Sequence, residues 1–259
     1  MQDISVDLKA KNIVRFIIIK ILISQLISIA VLIICCVQIS YLLMISIAWL
    51  PYGSYLYLFY SETKKISPIL DTDCDPYLFT AVFKKLAKYS FFRNQKTYTA
   101  LCISHGLSMS GDFEEADKIL RHINLKGTYL YIILFYYSIY VNCAEAFHRF
   151  DEIESTHDKI SEIIQKLKPT SRFYKMGEEI LVKIEIVLTE YREDYNKALS
   201  LYKQYNHAAV FPIIKANFAA RMGKLYFLTG DFIQAKECCE YGRNAFTTEK
   251  FSCQRNIHD

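Results

Sequence analysis

A chain of 259 residues with 52% hydrophobic and 15% aromatic side chains has ample material for a buried core, which excludes a disordered linker. The formal net charge is +4, and the residues after position 60 hold 27 basic against 25 acidic side chains, a balance that excludes a nucleic-acid footprint.

In chain order, the first feature is residues 21–60, ILISQLISIAVLIICCVQISYLLMISIAWLPYGSYLYLFY, which contain no formally charged side chain. A bilayer core takes about 20 apolar helical residues, so Ile21 to Leu50 suffices for one crossing. No Gly or Pro lies between Ile21 and Leu50 to turn a hairpin. The expectation is therefore one long, tilted transmembrane helix interrupted by Pro51 and Gly53, with Trp49, Tyr52, Tyr55, Tyr57 and Tyr60 as an interfacial aromatic belt. A cleaved signal peptide is the competing reading, but its apolar region would be shorter and followed by small residues. Lys9, Lys11, Arg15 and Lys20 precede the span and only Lys64 and Lys65 follow closely. The positive-inside tendency then places the N-terminus in the cytoplasm and the larger part outside, as a single-pass protein. Cysteine usage pulls the other way, because Cys74, Cys102, Cys143, Cys238, Cys239 and Cys253 show no compact disulfide spacing.

Residues 61–94 read as a linker and leading helix. Asp75-Pro76 is a strong helix start: Asp accepts free N-terminal amides, and Pro suits the first helical position. The spacing predicts a helix over 76–90 with Leu78, Val82, Phe83 and Leu86 as its apolar stripe. Asp71, Asp73 and Asp75 alternate as at the start of a calcium loop, but Pro76 stands where the turn needs Gly and Val82 where a bidentate acid is needed. These acids are read as linker and cap.

From residue 95 the pattern is helical throughout, and one phrase recurs: GDFEEADK at 111–118 and GDFIQAKE at 230–237. A Gly past one helix can adopt the left-handed conformation that ends it, and the following Asp can cap the next helix. Glu115 and Gln234 occupy the reciprocal position of a capping box. Phe113 and Phe232 are expected to face inward, while Ala116 and Ala235 allow close helix approach. Each phrase therefore reads as the elbow of an antiparallel helical hairpin. RFDEI around Phe150 and DYNKA around Tyr195 are weaker copies, so aromatic anchors stand at 113, 150, 195 and 232. A helix-turn-helix unit recurring near 34 residues is the signature of a solenoid.

These residues resemble the tetratricopeptide repeats. In MGKLYFLTGDFIQAKECCEYGRNAF, Gly223, Tyr226, Gly230, Phe232 and Ala235 follow the family's order of small and aromatic residues. The unit at Phe113 keeps Gly111, Phe113 and Ala116 but carries Ser104 and Leu107 earlier, while Val141, Ile153 and Ile186 replace small residues in the middle units. The resemblance covers 95–246 and implies an all-α, TPR-like solenoid behind the N-terminal membrane helix, with 247–259 as a tail.

Residues 128–144, TYLYIILFYYSIYVNCA, are uncharged and admit two readings, a second membrane span or a buried core helix. The segment is short for a span and sits where the first helix of the second unit belongs, which favours the core.

His105, His122, His148, His157, His207 and His258 never pair at metalloprotease spacing, and no phosphate loop or nucleophile elbow is present. Cys238-Cys239 points in two directions on a helix and reads as packing. The expectation is no enzyme, no metal and no cofactor.

The resemblance implies binding in a groove lined by the first helix of each unit. Aligned on the anchors, those positions are Tyr98, His105, Asn142, Glu145, Lys183, Glu190, Asn217 and Lys224. Some relatives grip a peptide's terminal carboxylate with groove Lys and Asn side chains, a clamp that Asn142, Lys183, Asn217 and Lys224 resemble in residue type. The expected partners are a protein or peptide in the groove and the bilayer at the N-terminal helix. Some relatives hold partners beside secretion or envelope-assembly machinery, and a permanently packed structural subunit is the alternative. TTEKFSCQRNIHD after the last unit does not read as a polar capping helix, which leaves self-association through that repeat open.

Overall fold

A computed structural model describes residues 2–36, 50–206 and 212–245. Among these residues every regular element is helical. In chain order they are α1 (Gln2–Cys36), α2 (Leu50–Lys64), α3 (Ser67–Asp71), α4 (Pro76–Leu86), α5 (Arg93–Met109), α6 (Phe113–Arg121), α7 (Leu130–Ala146), α8 (Phe150–Gln165), α9 (Arg172–Tyr191), α10 (Tyr195–Asn206), α11 (Pro212–Leu228) and α12 (Phe232–Ala245).

The four aromatic anchors are the first residues of α6, α8, α10 and α12. One residue before each cap the backbone turns left-handed: Gly111 at φ 86°, His148 at 55°, Glu193 at 60° and Gly230 at 84°. At each elbow the next amide reaches five residues back. Asp112 N donates to Leu107 O at 2.9 Å, Arg149 N to Ala144 O at 2.8 Å, Asp194 N to Thr189 O at 3.1 Å and Asp231 N to Tyr226 O at 2.9 Å. These bonds satisfy carbonyls left over at a helix end. Asp112, Asp194 and Asp231 then accept the Glu115, Lys197 and Gln234 amides. The reciprocal half of the expected capping box is replaced, since Gln234 reaches forward to Glu237 and Glu115 pairs with Lys118.

Each first helix packs on its own second helix and on the second helix of the preceding pair: α7 touches α6 and α8, α9 touches α8 and α10, and α11 touches α10 and α12. First helices also meet directly, α5 on α7 and α7 on α9. Helix α7 gives Ile132, Ile139 and Cys143 to one apolar cluster and Leu134, Val141 and Ala144 to the next. A helix buried on both flanks needs no polar face, which explains the uncharged run at 128–144 and settles it as core. Ala116, Ile153 and Ala198 are fully buried where second helices approach first ones. Phe232 departs from expectation and is 63% exposed, resting edge-on against Phe227, because no later pair among the described residues covers it.

The N-terminal region differs most from expectation. The described part of α1 ends at Cys36, and Pro51 and Gly53 lie inside α2 rather than interrupting a span. Proline in a first turn sacrifices only an amide that would have no intrahelical partner. Lys20 pairs with Glu62 at 3.3 Å, Gln25 Nε2 donates to Pro51 O at 2.9 Å, and Ser28 bonds Ser54 at 3.3 Å. The partners run in opposite directions, so α1 and α2 are antiparallel. Ala10, Val14, Ile17 and Ile21, one stripe of α1, join Phe59, Leu70, Val82, Phe83 and Leu86 in the first core cluster. Asp7 pairs with Lys85 of α4 at 2.7 Å. Residues 61–94 are thus packed structure, with Ile66, Leu70 and Phe79 buried, and Asp75 caps α4 by accepting the Leu78 amide at 3.0 Å.

One N-terminal helix is long and apolar enough to cross a membrane, with its apolar window at Ser5–Val31. Trp49 and the tail from residue 246 lie outside the described residues.

Candidate polar groove along the first helices

The eight expected groove positions divide into three groups. Tyr98 and His105, one face of α5, are absorbed by aromatic packing. Tyr98 meets Tyr60, Phe83 and Tyr131 at ring separations of 5.7, 6.3 and 5.9 Å. His105 sits edge-on to Phe79 at 6.4 Å and to Phe135 at 5.6 Å, and its Nδ1 is buried without a hydrogen-bond partner. Burial, helped by the charge of Lys183, pushes its pKa down to about 4.

Asn142, Glu145, Lys183 and Glu190 converge. Lys183 of α9 reaches across to α7, donating to the Asn142 side-chain oxygen and, at 3.3 Å, to the Ser138 carbonyl. Its side chain keeps some exposed surface, yet its ammonium is enclosed, and burial pushes its pKa down to about 8 against the pull of Glu145. Glu145 of α7 accepts from Arg221 of α11 at 2.7 Å, and Glu190 of α9 lies 4.0 Å from the same guanidinium. Tyr202 of α10 donates to Glu190 at 3.0 Å and accepts from Arg221 at 3.3 Å. Burial raises the Glu190 pKa, with Arg221 and the Tyr202 hydroxyl opposing it. Burial also opposes the charge of Arg221, but Glu145 and Tyr202 outweigh it and raise its pKa.

Lys224 is exposed at the edge of this network, and the side chain of Asn217 lies outside the described residues. The carboxylate-clamp likeness therefore changes character: Lys183 and Asn142 are bonded to each other, and Lys224 is the open cation of the set.

Arg221 and Tyr202 are the residues that sequence reasoning missed. Arg221 carried a signal, since positions 217, 221 and 224 form one helical face. Tyr202 carried none, because it arrives from a second helix through long-range packing.

Two positive and two negative side chains, Lys183 and Arg221 with Glu145 and Glu190, are held in a half-buried strip whose hydrogen bonds are satisfied within it. Among the described residues no three His, Cys, Asp or Glu side chains gather as a metal site. Cys102 and Cys143 are buried and their thiol pKa values are raised by burial, as befits packing rather than nucleophilic chemistry. Comparison of the chain with protein-family models, with curated proteins and with solved structures finds no match.

Proposed function

We propose that this chain is a membrane-anchored, tetratricopeptide-like interaction module that holds a peptide or helix of a partner protein along the face made by α5, α7, α9 and α11. The observation that carries this reading is the recurrence of one elbow at 111, 148, 193 and 230, with the same left-handed backbone conformation and the same five-back hydrogen bond. A chain that repeats its turns aligns its first helices, and aligned first helices offer an extended surface. The Lys183–Asn142 and Arg221–Glu145 bonds support the reading, since they fix three such helices side by side. The reading assigns the chain no catalytic step.

The test is photo-crosslinking in native membranes from Lys224, compared with the exposed Lys166 that caps the C-terminal end of α8. A discrete protein adduct from Lys224 alone is expected. Equal labelling from both positions, or adducts from Lys166 alone, would overturn the groove.

A permanently packed subunit of a membrane or envelope-assembly complex is the second reading, favoured by Phe227, Phe232, Ile233 and Tyr241, all at least 50% exposed on the last pair. A stoichiometric partner that survives washing would mark it; an exchangeable ligand would not survive.

A further inference from the structure

The α1–α2 hairpin has its polarity inverted. Its polar side chains lie between the helices: Gln25 donates to the Pro51 carbonyl and to Ser54, and Ser28 is bonded to Ser54. Its outward face is Leu22, Ile23, Leu26, Ile27, Ile29 and Ile33, exposed by 46 to 67%. A water-soluble hairpin would reverse this arrangement, whereas in hydrocarbon polar groups must find partners inside.

Charge marks where the hairpin begins. Residues 21–61 carry no formal charge, and the stretch is closed by Lys20 and Glu62, paired at 3.3 Å, with Lys65 on the same carboxylate at 2.5 Å. Within that stretch the described part of α1, Ile21 to Cys36, extends roughly 24 Å and that of α2, Leu50 to Ser61, roughly 18 Å, lengths that reach well into a hydrocarbon core of about 30 Å. Beside the hairpin, Tyr57, Phe91 and Phe92 are exposed, with Tyr52 edge-on to Phe92 at 4.9 Å. Aromatic side chains of this kind gather at the headgroup level.

We propose that α1 and α2 enter the bilayer as a hairpin that returns both chain ends to its cytoplasmic face. The proposal rests on the membrane attachment above and replaces the single crossing that flanking charge alone implies. A single crossing would part Asp7 from Lys85 by the membrane's thickness, yet they are paired. The hairpin also removes the conflict between charge and cysteine. Lys9, Lys11, Arg15, Lys20, Lys64 and Lys65 all fall on one side, which the positive-inside tendency makes cytoplasmic. There Cys74, Cys102, Cys143, Cys238 and Cys239, all free thiols, meet a reducing compartment.

The test is the full chain with a different epitope tag at each end, in sealed vesicles whose cytoplasmic face is outward, treated with protease and separately with alkaline carbonate. The expected result is retention in the carbonate pellet and near-complete loss of both tags without detergent. Retention with one tag protected overturns the hairpin and leaves membrane attachment standing. Retention with both tags protected overturns the cytoplasmic placement. Release by carbonate overturns the attachment itself.

Discussion

The α1–α2 hairpin and the helical pairs use the same secondary structure with opposite burial. In the pairs, Ile132, Ile160, Ile184 and Leu225 are wholly buried while Glu154, Glu162, Lys166 and Arg192 face water. In the hairpin, Gln25, Ser28 and Ser54 face each other while leucine and isoleucine face outward. Helix geometry therefore does not decide which face is apolar; the solvent does. The two regions are joined by one stripe, Ala10 to Ile21, which packs on α4, itself packed on the first pair through α5, while the rest of α1 leaves the core.

The largest expected effect lies in the pairs. Ile184→Ala removes a fully buried side chain between α8 and α9 and is expected to lower stability by about 2–5 kcal/mol in denaturant titration. A cost below 1 kcal/mol would mean that this core is loosely packed.

The next sharpens the contrast directly. Leu26→Lys and Leu228→Lys both alter exposed leucines, at 67% and 46%. In lipid the first is expected to weaken membrane retention by about 3 kcal/mol. In water the second is expected to stay within about 0.5 kcal/mol of the parent in denaturant titration. Indifference of carbonate retention to Leu26→Lys would place the hairpin's outer face in water.

Two buried basic groups give the pairs a pH signature. His105 has its pKa lowered from 6.5 to about 4, so over that window the unfolded chain binds a proton that the folded chain refuses. Stability should then fall by up to ~3 kcal/mol as pH drops from 6.5 toward 4, and His105→Phe should flatten that limb. Lys183 has its pKa lowered from 10.5 to about 8, so stability should rise over that alkaline window and Lys183→Met should abolish the rise. Unchanged limbs in both variants would locate the titrations elsewhere.

The smallest effects concern the elbows. His148→Gly and Glu193→Gly relieve left-handed strain and should each raise stability by up to ~1 kcal/mol, while Gly111→Ala and Gly230→Ala should lower it by about the same amount. Thermal midpoints of the four variants would read this pattern, and opposite signs would deny that the four turns are equivalent.

The elbows were the most legible part of the sequence because their determinants are local. A Gly-Asp pair and an aromatic residue lie within three positions, and even at 148 and 193, where Gly is absent, the aromatic spacing located the turns. The hairpin was illegible for the converse reason. No Gly or Pro lies between Ile21 and Leu50, and the contacts that pair α1 with α2, Lys20–Glu62 and Gln25–Ser54, join residues far apart in sequence. Phe232 was misjudged because burial of an anchor depends on a following pair. Which faces converge was legible, since Asn142 meets Lys183 while Glu145 and Glu190 meet at Arg221. How they meet was illegible, because Arg221 and Tyr202 satisfy groups that alignment left open to a ligand.

The most direct test of the whole arrangement is zero-length carbodiimide coupling in intact membranes, followed by mass spectrometry of linked peptides. The Lys197–Glu185 pair at 3.1 Å, within the helical pairs, serves as internal control. The account predicts an isopeptide bond between Asp7 and Lys85, whose side chains are 2.7 Å apart. Recovery of the Lys197–Glu185 link with no coupling of Asp7 to Lys85 would contradict it, because the N-terminal segment would then lie away from α4.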